Sequence, residues 1–538
     1  MIHPKRSCIL FTVIATLGFL AKAQAAPIVG EPAQGTKIVL VGNGLGAQML
    51  DYGIFETQLH QAFPKHQLVV RNLCFEGDTP AYRPRAGRDT AWAFPGAEAF
   101  SEHYPAHKGK GIEPSPDEWL TLAKADMVLG FFGYNESFGG PGGVDQFKAE
   151  LEAWIAHSRK QSYNGKSGPR LVLVSPIAFE DLSATHKLPD GNRENANLYL
   201  YAEAMAEVAA NHDTGFIDLF NPSNLAMKVR NENLPYTLNG FLPNERGNQL
   251  IAGLLLEGIF GIAPPAELDE KLRELVLQKN WMWKQDYRIV NGVHVYGRRR
   301  APFGTVNYPP EIDKTRELTA NRDQAIWAQA QGKRFDLAAA DAGTRKLEPI
   351  KTNFKRDIQF IGESNSIESF QMMDGFKIEL FAAESEFPDL RNPVQMSFDN
   401  EGRLWVAVTP TYPAYRPGDA MPNDKLVIFE DTDGDGKADK QSVFADGLNL
   451  PMSFELAHNG VYVTQQPDLV FLQDRDGDGK ADHREVIARG FDPHDTHHSI
   501  GAFCADPLGG IYLNEGIFLH SQVETAYGPR RSNWSGTW

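Results

Sequence analysis

The chain has 538 residues, room for three or four folding units at roughly 150 residues each. Lys and Arg number 53 against 69 Asp and Glu, a formal charge of −16, which speaks against a nucleic-acid clamp, since such binding rests on basic groups neutralising phosphates. Hydrophobic residues at 42% and aromatics at 11% are enough for packed cores and exclude wholesale disorder. The 3 cysteines, Cys8, Cys74 and Cys504, form no CxxC or CxxCH pattern, so zinc ribbons, thioredoxin-type motifs and covalent haem are not expected in this chain.

Residues 1–25 read as a signal peptide. Lys5 and Arg6 precede an apolar run from Cys8 to Ala21, and Ala23-Gln24-Ala25 supplies a small-residue cleavage pattern. The run is shorter than the ~20 residues that span a bilayer. The expectation is an exported chain, periplasmic or extracellular, with no transmembrane segment after cleavage. Cys74 and Cys504 then remain; they could pair, but two buried free thiols are the expectation.

From 36 to 262 strand-like and helix-like stretches alternate. Short apolar runs at 37–41, 67–71, 125–132 and 170–174 suit buried parallel strands. The spacing predicts helices at 144–159, 194–211 and 245–260, the first with Phe147, Leu151, Trp154 and Ile155 on one face. This predicts a parallel sheet sandwiched by helices, with a long Gly/Pro/His-rich loop at 86–114. Residues 263–368 read as a helical connector, with helical runs at 267–279 and 314–331.

From 369 to 538 the pattern becomes short alternating strands with Gly, Asn and Asp turns. The segment Lys425–Asp439 recurs 43 residues later at Asp468–Asp482, a propeller-blade period. The expectation is an incomplete all-β propeller of about three blades, short of the four to eight that close a ring, as in a truncated chain.

The first chemical pattern lies in the α/β unit. Gly42-Asn43-Gly44-Leu45 follows the first strand, Gly77-Asp78-Thr79 the second and Gly133-Tyr134-Asn135-Glu136 the third; Asn239-Gly240-Phe241-Leu242-Pro243-Asn244 comes late. These blocks resemble the SGNH (GDSL-like) hydrolases. The resemblance implies oxyanion donors at Gly77 and Asn135. It places the nucleophile at Gly44, the acid at Asn239 and the base at Leu242, none of which carries the needed group. A binding rather than hydrolytic unit follows, with a carbohydrate or small molecule as ligand. A rebuilt site using Ser137 or Glu76 with His103 or His107 is the alternative.

The second pattern is paired acidic loops. Asp431, Asp433, Asp435 and Asp439 recur as Asp474, Asp476, Asp478 and Asp482, and Glu485 follows the second set. Carboxylates at positions 1, 3, 5 and 9 with Gly at 6 suit Ca²⁺; a solvated Asp/Gly turn is the plainer reading. The third is Asp492-Pro-His494-Asp495-Thr496-His497-His498. Here His497 or His498 could take a proton from a sugar hydroxyl with Asp495 orienting it; a metal site or a structural turn competes.

The segments Asn392–Asp399, Lys425–Asp439, Asp495–His498 and His520–Thr525 resemble dehydrogenase modules related to sorbosone and glucose dehydrogenase propellers. The whole is similar to exported planctomycete-type proteins in which an SGNH domain precedes such a propeller. That resemblance implies sugar oxidation, with pyrroloquinoline quinone as a candidate cofactor. Two other functions stay open: a carbohydrate esterase or deacetylase, and a non-enzymatic Ca²⁺-stabilised binding protein or inactive fragment.

Overall fold

The computed structural model describes residues 27–230, 234–355 and 361–538; the expected signal peptide at 1–25 lies outside them. Strands β1 (Lys37–Gly42), β2 (Val69–Asn72), β3 (Met127–Phe131), β4 (Arg170–Val174) and β5 (Gly215–Ile217) form one sheet in the order β2-β1-β3-β4-β5. Every pairing is parallel. Strand β5 was not expected from the sequence: at 3 residues it is too short to show a periodicity.

Alternate residues of β1 serve opposite cores, as the two-residue period of a strand dictates. Ile38 and Leu40 pack with Leu59, Ile251 and Leu255. Val39 and Val41 pack with Trp119, Leu151, Trp154 and Val208 on the other face. The helices Val144–Ser158, Asn192–Asn211 and Glu245–Leu255 fall near their expected places, the last continuing as a π-turn over Leu256–Phe260. A parallel sheet between two helical layers is the architecture that the SGNH resemblance implies.

The connector covers the open edge of this sheet. Its helices run over Glu270–Tyr287 and Gly304–Ala330. Trp283 donates its indole N–H to the carbonyl of Asn72 at 2.7 Å, and Trp327 donates to Leu68 at 2.8 Å. Arg71 of β2 donates to Asp323 at 3.0 Å. A bare edge strand invites pairing with other chains; here the helices satisfy and shield it. The segment expected as a helical connector is thus built against the α/β unit.

The remaining chain is antiparallel. Strands β6 (Pro393–Phe398), β7 (Leu404–Val408), β8 (Asp424–Glu430) and β9 (Lys440–Leu448) make one four-stranded sheet in chain order. Strands β10 (Phe454–Ala457), β11 (Gly460–Gln465), β12 (Asp468–Gln473) and β13 (His483–Arg489) make a second. Trp405, Ile428 and Phe444 of the first pack against Phe454, Val461 and Val470 of the second. A three-stranded sheet follows from β14 (Gly501–Ala505), β15 (Ile511–Leu519) and β18 (Trp534–Thr537), with a ribbon of β16 (Gln522–Val523) and β17 (Arg530–Arg531) between. The two acidic loops occupy equivalent hairpins, β8 to β9 and β12 to β13. Among the described residues no helix is long and apolar enough to cross a membrane.

Candidate functional site

The site lies where the first three strands end, at the point where the strand order reverses and parallel sheets open a crevice. Beyond β1, Asn43 caps the helix Gly44–Tyr52 by accepting the N–H of Leu45 at 3.2 Å, leaving the N–H of Gly44 aimed into the crevice. Beyond β2, Gly77 adopts φ +74°, a left-handed conformation that suits glycine. Beyond β3, Asn135 sits in the short helix Tyr134–Ser137.

All three donors meet one oxygen. Oε1 of Glu524 accepts from the N–H of Gly44 at 3.0 Å, the N–H of Gly77 at 2.8 Å and Nδ2 of Asn135 at 2.8 Å. Two backbone N–H groups and an amide converging on an oxygen are the parts of an oxyanion hole. The occupant comes from the β-rich unit, 480 residues beyond Gly44 in sequence. A Cβ at Gly44 would stand 2.2 Å from Oε2 of Glu524, and one at Gly77 would stand 2.5 Å from Cβ of Gln522. The missing side chain at Gly44 is therefore what lets the carboxylate in.

The neighbouring residues fix the inserted segment. Gln522 Nε2 donates to the Glu76 carbonyl at 3.1 Å and to Asp78 at 3.0 Å, and Arg531 donates to the Gly77 carbonyl at 2.6 Å. Tyr134 donates its hydroxyl to the Thr525 carbonyl at 2.8 Å. Ala526 packs among Tyr134, Phe179, Phe241 and Leu242. Leu242, expected at the base position, is thus an apolar wall for the insert. Asn239, at the acid position, holds the local turn by accepting the N–H of Leu242 at 3.0 Å.

Burial pushes the Glu524 carboxyl up to about 7, helped by the charge of Glu76 and opposed by the three donors. Glu76 is itself fully buried against Arg288 at 2.9 Å, and Asp78 against Arg85 at 2.7 Å. An unfolded chain gives up the Glu524 proton near 4.5, whereas the folded one keeps it to about 7. Between those values the folded state binds more protons, so rising pH removes stability, up to about 3 kcal/mol once past pH 7. Glu524→Gln keeps an acceptor oxygen and cannot ionise. Its urea midpoint is expected to exceed the wild type's at pH 8 and to approach it at pH 5.

The alternative hydrolytic residues are engaged elsewhere. Ser137 donates to the Tyr134 carbonyl at 2.7 Å, His103 pairs with Glu102 at 3.2 Å, and His107 contacts the Arg88 carbonyl at 2.8 Å. None of these contacts couples a hydroxyl to an imidazole. Glu524 was missed by sequence reasoning. The segment His520–Thr525 stood out in the resemblance, but nothing local linked it to Gly44.

In the β-rich unit, Asp495 is fully buried, with Oδ1 2.9 Å from Nδ1 of His497 and Oδ2 3.8 Å from Nδ1 of His498. Burial lowers the His497 pKa, and His498 lowers it further, against the pull of Asp495. In the acidic loops, oxygens of Asp431, Asp433 and Asp439 cluster, as do those of Asp474, Asp476 and Asp478. Asp435 accepts the N–H of Lys437 at 2.8 Å and Asp482 that of Arg475 at 2.8 Å. Glu485 lies on β13 beside His483 at 3.7 Å. The expected pair of buried thiols is corrected: Cys74 is buried, while Cys504 is exposed on the edge strand β14.

Residues 362–533 match a family described as "Domain of unknown function (DUF7133)". No curated protein matches the chain. Among solved structures, a protein described as a GDSL-like lipase from Parabacteroides merdae is 15% identical, covering 43% of this chain and 98% of its own, at TM-score 0.32. A catalytic mutant of an acetylxylan esterase from Geobacillus stearothermophilus is 15% identical, covering 42% of this chain and 95% of its own, at TM-score 0.30. An alpha/beta hydrolase from the metagenome of Lake Arreo, Spain, is 17% identical over 42% of this chain and 96% of its own, at TM-score 0.29.

Proposed function

We propose that the α/β unit is an SGNH-type module that has given up hydrolysis and serves as a socket for the β-rich unit. The carrying observation is the convergence of Gly44, Gly77 and Asn135 on Oε1 of Glu524. An oxyanion hole is built to donate to an oxygen that carries or develops negative charge, and the Glu524 carboxyl oxygen fills that place from within the chain. Acyl transfer also needs an attacking atom and a proton acceptor, and loss of such a unit costs ~10⁴ or more in rate. Gly44 and Leu242 offer neither. The full chain is expected to leave p-nitrophenyl acetate at its uncatalysed rate, with Glu524→Ala no faster; turnover at ordinary enzyme rates by either protein would reverse this reading.

A sugar or acetyl ligand in this pocket would have to displace Glu524, so the carbohydrate expectation moves to the β-rich unit of an exported chain. Sugar oxidation there has one supporting observation, the 2.9 Å approach of Asp495 to His497, which sets a buried carboxylate beside a candidate base. A dye-linked oxidation assay, with and without pyrroloquinoline quinone, tests it; silence in both removes it. For the acidic loops the proposal is structural Ca²⁺, which relieves repulsion among carboxylates held on a tight turn. Calcium at millimolar concentration is then expected to raise the melting temperature, and less so in Asp474→Asn. An unchanged melting curve with no heat of titration would remove the ion.

A further inference from the structure

The geometry points to a divalent transition-metal site of the zinc or cobalt class at Asp495, His497 and His498, with its remaining coordination position open to solvent. The three side chains come from one short turn, the 3₁₀ segment Thr496–His498 and the residue before it. One ligand-type atom from each lies within 4.8 Å of the others. Two imidazoles and a carboxylate suit zinc-class cations, whereas Ca²⁺ prefers oxygen donors throughout. The site is thereby distinct in chemistry from the all-carboxylate loops.

The strongest argument is the state of Asp495. Its side chain is 0% exposed, yet neither carboxylate oxygen receives a hydrogen bond. Burying a carboxylate without donors costs several kcal/mol, so something else must compensate it. Nδ1 of His497 stands 2.9 Å from Oδ1 but outside hydrogen-bonding geometry. Metal bonds of ~2.0–2.1 Å set neighbouring ligands roughly 2.9–3.3 Å apart. The pair is spaced as two ligands of one ion are.

The surroundings agree. Arg299 reaches to 3.7 Å from Oδ2, too far for a hydrogen bond, and its side chain is 41% exposed. It offsets the charge without satisfying the oxygens. The ring of His498 stacks on Phe518 at 5.9 Å with an interplanar angle of 8°, and its Nδ1 is 3.1 Å from the Ile517 carbonyl. Such outer contacts orient ligating imidazoles. His497 is about one-third exposed, which gives an ion a way in. The assignment departs from the acid–base reading of the same pair, because a cation takes the lone pair that a base would use. It is independent of the Glu524 socket.

The test uses the full chain stripped with a chelator and held in millimolar Ca²⁺ to occupy oxygen sites. Co²⁺ is titrated in while visible absorption is followed, then displaced with Zn²⁺. One equivalent is expected to bind with the strong d–d bands of a four- or five-coordinate ion. His497→Ala and His498→Ala are each expected to weaken binding at least about tenfold, with melting curves confirming that they fold. Asp431→Asn and Asp474→Asn should leave the bands unchanged. Absence of a saturable Co²⁺ spectrum would overturn the assignment. So would wild-type affinity in both histidine variants, or loss of the bands in the loop variants.

Discussion

Gly44→Ser is expected to destabilise the chain by roughly 3 kcal/mol or more, because it strands three buried donors and each one left unmade costs ~1–3 kcal/mol. The new Cβ would fall 2.2 Å from Oε2 of Glu524, closer than any van der Waals contact, and the helix start that carries Gly44 is buried and cannot recede. The carboxylate must leave, which withdraws the acceptor from Gly77 and Asn135 as well. Restoring the hydroxyl that a hydrolase would use thus removes one of the contacts that join the two units. Glu524→Gly in the same chain makes room for the serine. The pair should therefore be less damaging than the sum of its parts, with a coupling of about 1–3 kcal/mol. Urea unfolding of the four proteins in the cycle measures this. Additive effects would mean that residues 44 and 524 do not meet.

Lys279→Ala is expected to cost about 3–5 kcal/mol, the usual penalty for removing one partner of a buried ion pair. Lys279 is 0% exposed and donates to Glu56 at 2.7 Å, to Asn280 at 2.7 Å and to the Val70 carbonyl at 3.2 Å. It joins the connector to the edge strand β2 and to the helix Ile54–Ala62 at one ammonium group. Without it Glu56 keeps only His60, at 3.8 Å, as a counter-charge among these contacts. Lys279→Met restores volume but not charge, so it should recover less than half of the loss. Lys279→Met with Glu56→Gln should recover most of it. Chemical denaturation at pH 7 distinguishes these; equal stability of Lys279→Ala and wild type would show that the ammonium is not sequestered.

The elements legible in the sequence are those with a strong local period. The apolar runs of β1, β3 and β4 and the striped helix at Val144–Ser158 carry their burial in a few neighbouring residues, and the 43-residue repeat marked equivalent hairpins. What escaped depends on distance. Strand β5 is read only from its pairing with β4. The place of the connector depends on an indole reaching β2, and on a β2 guanidinium reaching the connector, across more than 200 residues of sequence. For the pocket, Gly44, Gly77, Asn135, Asn239 and Leu242 were all legible as a pattern with its reactive groups missing. The occupant of the pocket was not, because Glu524 is one of 69 acidic residues and nothing beside it signals a partner for Gly44.

Glu524 also sets an order of events. The crevice at Gly44 leaves the ribosome 480 residues before its stopper. At about 5–20 residues per second that interval is roughly 25–95 s. Throughout it the three donors can be served only by water or by whatever anion is at hand. The α/β unit must therefore be sound enough to wait, and a small carboxylic acid present during synthesis competes with Glu524 for the same seat.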